Sequence, residues 1–251
     1  MRDEDKDLSV VRIAPENHDT TSIVFAGPGM ERFKGRKAGQ FAAIRVFRDG
    51  AWSEAHPFTL SSAPGDDALR MTIKKSGAFT SMIPDLEPGT PIQCAGPFGK
   101  FCSDIDERPH VVMIAGGVGI TPFLSVLRHF KEASATNEVL LFWSNKTLDD
   151  AFAAEELEAL SASLNLRVVH VLTRVRPGDM PQTSGANAVS YESGRLDCAM
   201  VGRHLSWSDA SFYICGPPPM QEAMLSVLDE CGIDKNFIQK EAFVFTKPAA
   251  R

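Results

Sequence analysis

Residues 111–122 read VVMIAGGVGITP, five apolar residues that give way to glycines and then to threonine and proline. The apolar run has the length of a strand buried on both faces, as the strands of a parallel sheet are. Gly116, Gly117 and Gly119 strip the backbone just beyond it, so a ligand can touch the main chain there. Thr121 and Pro122 then open a helix, with proline where its missing N–H matters least. The free N–H groups and the positive end of the helix dipole face whatever occupies the turn, and a pyrophosphate suits both. The spacing is not the G-x-G-x-x-G of dehydrogenases, because Pro122 occupies the third glycine position. Taken alone, such a turn serves tight packing as well as it serves a nucleotide.

Downstream, the pattern repeats. TPFLSVLRHFKEA (121–133) reads as a helix, VLLFWSN (139–145) as a strand and DAFAAEELEALSASL (150–164) as a helix. LRVVHVLTR (166–174) and ASFYICG (210–216) read as strands, and PPMQEAMLSVLDECG (218–232) closes the series as a helix. Buried strands alternating with amphipathic helices predict a doubly wound parallel α/β sheet. FYICGPPPM (212–220) ends at the same sheet edge as the glycine turn, with three prolines stiffening its own turn. Cys215 in isolation reads as a small buried hydrophobe. Two rigid turns on neighbouring strands, one of them suited to phosphate, predict a dinucleotide across that edge.

Upstream, the punctuation is different. SIVFAG, QFAAIRVF, HPFTLSS, LRMTIKK and TPIQCAG are short strand-like runs between 22 and 96, separated by GPG, RDG, APGDD and EPGT. They predict a small antiparallel β-barrel, interrupted by one helix near FTSMIPDL (79–86). In HPFTLSS (56–62), Phe58, Leu60 and Ser62 would share one face and Pro57, Thr59 and Ser61 the other. The polar, proline-ended stretch SDIDERP (103–109) marks the boundary, which gives domains over 1–107 and 108–251.

Bulk properties narrow the function. A net charge of −6, from 26 basic and 32 acidic residues with no basic block, argues against nucleic acid and anionic membrane as partners. No apolar run approaches the roughly 18 residues of a membrane span, and the charged start MRDEDKDLSV is not a secretory signal. Cys94, Cys102, Cys198, Cys215 and Cys231 form no C-x-x-C pair, and their odd count fits neither a zinc knuckle nor a disulfide framework. The C-x4-C-x2-C of a plant-type iron–sulfur module is missing as well. No metal site and a cytoplasmic location are therefore expected.

HPFTLSS, GAFT (77–80), GGVGITP and CGPPPM (215–220), in that order, resemble the ferredoxin–NADP reductase superfamily. The likeness is strongest to the NADH–cytochrome-b reductases and the flavin domains of ferric reductases and NADPH oxidases, and it runs from about Ser22 to Phe245. It implies an FAD-binding barrel followed by an NAD(P)-binding domain. His56-Pro57-Phe58-Thr59 occupies the family's R-x-[YF]-[ST] motif. There Phe58 packs on the flavin, Thr59 offers a hydrogen bond near its N5, and His56 replaces the arginine that grips the FAD pyrophosphate. Pro57 restricts His56 to extended backbone. Gly77, Phe79 and Thr80 fit G-x-x-[ST], which implies that Thr80 and the N–H of Ser81 meet the same pyrophosphate. Ile73 and Lys74 lie along the flavin edge, with a merely solvated lysine as the alternative.

The likeness also implies nucleotide contacts from Gly117, Gly119, Thr121 and Pro122, from Ser144 and Asn145, and from Thr173 and Arg174. Arg174 would hold a 2′-phosphate or merely cap a strand, and no carboxylate at the second strand end demands a free ribose, so NADH and NADPH both stay open. Cys215, Gly216, Pro217 and Met220 would flank the nicotinamide, Cys215 near its C4. Glu241-Ala242-Phe243 matches E-x-[YF], whose aromatic covers the flavin, while an alternative register gives that place to Phe245. The catalytic set implied is Thr59, Cys215, Glu241 and Phe243. The expected activity is hydride transfer from NAD(P)H to FAD, then single electrons to a cytochrome, a ferredoxin, a membrane haem subunit or a ferric chelate. The rival readings are a flavin subunit whose haem or iron–sulfur carrier lies on another chain, and a barrel that has lost FAD and merely binds.

Overall fold

The computed structural model of the chain describes residues 7–181 and 188–241. Seven strands make a first sheet: β1 (Leu8–Pro15), β2 (Thr20–Ala26), β3 (Phe41–Arg48), β4 (Ala51–Trp52), β5 (His56–Thr59), β6 (Leu69–Lys74) and β7 (Pro91–Phe98). Their order is β4-β3-β7-β1-β2-β6, with β5 paired to β3, and every pairing is antiparallel. The sheet curls until the Ser61 N–H donates to the Arg70 carbonyl at 2.7 Å, which brings the exit of β5 against β6. Period-two alternation decides what lies inside. In β3, Ala42, Ile44 and Val46 are buried between half-exposed neighbours and join Leu8, Phe25 and Met71 in one core.

Two sequence expectations shift here. HPFTLSS is a strand only to Thr59; Leu60, Ser61 and Ser62 are all buried rather than alternating, because the chain leaves β5 for the space between the sheets. Strand β1, central between β7 and β2, was not among the predicted runs, since LSVVRIAP abuts the charged N-terminal stretch. The predicted helix is present as α1 (Ala78–Met82), continued by a 3-10 turn over Ile83–Asp85.

Six strands make the second sheet, in the order β11 (Val189–Ser193), β10 (Leu166–Leu172), β9 (Glu138–Asn145), β8 (His110–Gly116), β12 (Ser211–Cys215) and β13 (Ile238–Lys240), all parallel. Helices α2 (Thr121–Glu132) and α3 (Ala154–Ser161) cover one face, and α4 (Cys198–His204) and α5 (Pro218–Glu230) the other. β8 is buried on both faces, as its apolar run requires: Val111, Met113 and Ala115 join the α2–α3 core, Val112 and Ile114 the α4–α5 core. The chain winds outward from β8 through β9, β10 and β11, then returns to β12 on the opposite side of β8. The winding reverses there, so the crevice where such sheets hold ligands lies at the ends of β8 and β12.

β11, α4 and β13 were not predicted. α4 has seven residues and depends on a cap, the Asp197 carboxylate accepting from the Met200 N–H at 2.7 Å. The expectation of no disulfide is corrected: Cys198 and Cys231 are bonded, with their Cα atoms 5.4 Å apart. The start of α4 and the end of α5 meet because both helices pack on one sheet face, which no cysteine spacing encodes. Cys94, Cys102 and Cys215 are free and buried. Among the described residues no helix is long and apolar enough to cross a membrane, and no group of three or more His, Cys, Asp or Glu could hold a metal.

Candidate functional site

A cleft of about 740 Å³ opens between the two sheets, and residues of both line it. Its first wall is β5 and β6. Pro57, Phe58 and Thr59 face it from one strand, and Thr72, Ile73 and Lys74 from the other, with Thr80 beyond them. Phe58 and Ile73 present apolar surface beside the Thr59 hydroxyl, a combination that suits a flat heteroaromatic ring. Its second wall is the glycine turn after β8, the ends of β9 and β10, and the proline turn after β12: Gly116–Gly119, Thr121, Ser144, Asn145, Thr173, Gly216–Pro218 and Met220.

The second wall is built from the backbone up. Gly117 adopts φ +52°, and no described residue comes within 4 Å of where its side chain would be, so its main chain faces the cleft bare of them. The indole N–H of buried Trp143 donates to the Gly117 carbonyl at 2.9 Å and fixes the turn from behind. At Gly119 any side chain would collide with the Cys215 carbonyl, so the glycine turn and the end of β12 pack backbone to backbone. The Gln221 side chain in turn holds the Gly216 carbonyl at 2.8 Å. Asn145 is 6% exposed, yet among the described residues neither its side-chain amide nitrogen nor its amide oxygen has a hydrogen-bond partner, which leaves one donor group and one acceptor at the cleft wall. A bare glycine turn at a helix start, beside an unsatisfied buried amide, fits a nucleotide that brings phosphate and polar ring atoms.

Several predicted residues stand near the cleft without lining it. His56 stacks on Phe79 with ring centroids 4.0 Å apart, and Phe79 stacks on Phe58 at 5.9 Å, so the three rings form one column that ends at the first wall in Phe58. Thr80 lines the cleft, but its hydroxyl oxygen already accepts from the N–H groups of Ser76 and Gly77, at 2.7 and 2.9 Å. The Ser81 N–H donates to the Gly77 carbonyl. Gly77, Phe79 and Ser81 therefore build the turn around α1 rather than the wall itself. Lys74 is engaged by Asp19 at 2.8 Å. Pro122 is buried under the turn, and Arg174 is exposed outside the wall.

Cys215 is fully buried at the end of β12. Burial, and then the charge of Glu241, push its thiol well above the ordinary range, so it stays protonated. Glu241 is 7% exposed, and its N–H donates to the Ile214 carbonyl at 2.9 Å, which brings it beside Cys215. Phe243, and Phe245 in the alternative register, lie outside the described residues.

Sequence reasoning missed some of the lining. Lys75 and Lys146 add cations to the cleft, and Asp150 sits at its rim. Lys146 was within reach of reasoning, since it follows the strand-end Asn145 directly. Arg195 was not. It lines an adjoining cavity of about 370 Å³ that shares Ser144, Thr173, Pro217 and Met220 with the cleft, and it lies in a loop with no recognisable pattern.

Residues 7–87 match the family model of an FAD-binding domain, and residues 113–225 that of the oxidoreductase NAD-binding domain. A flavohemoprotein of Bacillus subtilis is 26% identical over 95% of this chain and 59% of its own length. The reductase component of propane 2-monooxygenase from Rhodococcus jostii is 30% identical over 96% of this chain and 63% of its own. The chain thus spans about three fifths of the length of these curated relatives. The flavohem-like FAD/NAD-binding domain of nitric oxide dioxygenase from Vibrio cholerae superposes with a TM-score of 0.75 at 23% identity, covering 95% of this chain and 99% of that one, and so shares the fold.

Proposed function

We propose that the chain, whose residues 7–87 match an FAD-binding domain and 113–225 an oxidoreductase NAD-binding domain, is a flavoprotein reductase of the ferredoxin–NADP reductase-like kind, which oxidises NAD(P)H through FAD and delivers the electrons singly to a haem, iron–sulfur or ferric acceptor. The observation that carries this reading is the shared cleft. A wall suited to a flat ring, from β5 and β6, faces two rigid backbone turns at the point where the parallel sheet reverses its winding.

FAD, when bound, supplies the two-electron to one-electron conversion that no side chain provides. The chain's own residues position and shield. Phe58 and Ile73 give the ring an apolar bed, and Thr59 gives it a hydroxyl. The column of His56, Phe79 and Phe58 stiffens that bed, and Gly77, Thr80 and Ser81 shape the turn assigned to the FAD pyrophosphate. Gly117, Gly119 and Thr121 receive the phosphates of the nicotinamide cofactor, with buried Pro122 setting the helix start beneath them, and Ser144, Asn145, Thr173 and Arg174 take its ribose end. Gly216, Pro217 and Met220 hold its ring side. Cys215, kept neutral, acts there as a soft contact and not as a nucleophile. Glu241 and an aromatic from the C-terminal stretch complete the assignment. The domains behind it are 1–107 and 108–251. A cytoplasmic location goes with this reading, since reduced nicotinamide is supplied there; the Cys198–Cys231 pair would meet a reducing pool in that compartment.

Purified protein should be yellow and should reduce ferricyanide with NADH or NADPH. A colourless protein that stays inactive with added FAD would refute the reading. A second reading, a flavin subunit whose carrier is another chain, is favoured by one observation: the relatives that this chain spans by three fifths are a flavohemoprotein and a reductase component. Co-purification with a haem or iron–sulfur protein separates the two.

A further inference from the structure

We infer that Arg128 is a positioning residue, which locks the nicotinamide-side wall of the cleft to the flavin-side wall. The inference rests on the function proposed above, but the contacts stand by themselves. Helix α2 begins at Thr121 on the glycine turn, and about two turns later it reaches across to the first sheet. Ser125, 2% exposed, donates its hydroxyl to the Ser62 carbonyl at 2.7 Å. Arg128, one turn on, donates through Nη1 to the Ser61 carbonyl. Its Nε and Nη2 donate to the two carboxylate oxygens of Glu156 on α3, each at 2.7 Å. The guanidinium is thus saturated on three sides, and its side chain is only 14% exposed.

The strap it grips has a definite place. Ser61 and Ser62 follow Thr59 by two and three residues, so they lie directly beyond the strand that carries Pro57, Phe58 and Thr59 into the cleft. From the barrel side the same strap is held by Arg36, 6% exposed, which donates to the carbonyls of Ala63 at 2.7 Å and Asp66 at 3.0 Å. Consecutive carbonyls are therefore taken by the second domain at Ser61 and Ser62 and by the first at Ala63. At the mouth of the cleft the crossing bonds are weaker. Asn17 reaches the carbonyls of Asp149 and Asp150 at 3.2 and 3.3 Å, the first of these in an exposed setting. Of the polar contacts on this flank, the buried clamp is therefore the one that fixes the walls most firmly. Arginine is the residue this needs, because its planar fork serves a carboxylate and a carbonyl together, whereas lysine offers a point charge.

Misplacement by about 1 Å can slow a positioned transfer on the order of a hundredfold. Arg128→Met should keep its FAD content, yet reduce bound flavin at least roughly tenfold more slowly at saturating NADH or NADPH, so that kcat falls more than KM rises. Dithionite-reduced variant should pass electrons to ferricyanide at the wild-type rate, because that half-reaction does not use the second wall. Arg128→Lys should recover part of the loss. Calorimetry of the apoprotein tests the clamp without any cofactor: one transition in the wild type, two in Arg128→Met. Should Arg128→Met fail to fold, Glu156→Gln and Ser125→Ala, each of which weakens one arm, are measured the same way. A wild-type rate of flavin reduction, or an apoprotein that still melts in one transition, overturns the inference. If the wild type itself is not reduced by either nucleotide, the functional reading fails, while the splitting of the transition still decides whether Arg128 couples the domains.

Discussion

Gly119→Ala and Gly202→Ala make the same chemical change in the same domain and should have opposite effects. Neither glycine has a positive φ, so backbone strain enters neither case. A Cβ at Gly119 would lie 2.7 Å from the Cys215 carbonyl carbon and 2.8 Å from the Gly216 Cα. Ordinary carbon contacts are about 3.5–4.0 Å, so the shortfall is close to 0.8 Å. Nothing flexible can yield, since both obstacles are main chain and Cys215 is paired in register with Ala115 on β8. The glycine turn must lift away from β12. Overpacking of this kind destabilises by about 1–3 kcal/mol. Because the turn is assigned to the nicotinamide phosphates, NAD(P)H affinity should fall at least roughly tenfold, while FAD content is unchanged. Gly202 lies in α4, exposed, with nothing within 4 Å of an added Cβ. Alanine there should stabilise by about 0.5–1 kcal/mol through helix propensity and the unfolded chain's lost freedom. Urea unfolding gives the stabilities, and fluorescence titration gives the affinities. Equal effects from the two substitutions, or wild-type nucleotide affinity in Gly119→Ala, would refute the backbone-to-backbone packing of the two turns.

Three other outcomes are expected. The Cys198–Cys231 bond closes a separation of 33 residues, for which chain entropy gives about 3.5 kcal/mol; Cys198→Ser should lower stability by a comparable amount, and reductant should do the same to the wild type but not to the variant, as urea unfolding would show. Cys215→Ala should slow flavin reduction by NAD(P)H with FAD retained, and the wild-type rate should show no thiol ionisation step up to about pH 9, because burial and Glu241 keep the thiol protonated; an alkaline step there would contradict the assignment. Asp104 is pushed up by burial, but hydrogen bonds from Arg108, Gln239 and Tyr213 outweigh this and hold it below the usual carboxylate range. A depressed carboxylate stabilises above its unfolded pKa of about 3.9 and loses that contribution as pH falls through the folded value, so Asp104→Asn should be about 1 kcal/mol less stable at pH 7 after solvent screening, and the deficit should shrink steadily as pH falls below about 3.9.

The two-part fold was legible because its signals are local. VVMIAGG and FYICG are uniformly apolar because their strands are buried on both faces, and QFAAIRVF alternates because β3 faces a core on one side only. The glycine and proline turns were legible for the same reason, since their conformation is written in residues that do little else. β1, α4 and β13 escaped, being short or bordered by charge. The site divides in the same way. Residues that touch the cleft through strand ends were found, whereas Arg195 and the Cys198–Cys231 bond depend on which helices share a sheet face.

What local patterns name is the lining; what they leave out is the distance between its two sides. That distance depends on polar contacts between segments with no motif. Asp104, in the linker between the sheets, accepts from Tyr213 at 3.0 Å and from Gln239 at 2.8 Å through one oxygen, and from Arg108 through the other. Tyr213 stands two residues before Cys215 and Gln239 two before Glu241, so by the strand period each points to the same side as its neighbour at the site. One linker carboxylate therefore aligns the two strands that deliver Cys215 and Glu241. Arg128 does the corresponding work on the other flank, through the strap that leaves β5. A flavin bed and a nucleotide turn could each be correct in isolation and still stand too far apart to react, since transfer depends on separation far more steeply than binding does. Residues such as Asp104 and Arg128 would therefore tolerate less change than their lack of any motif suggests.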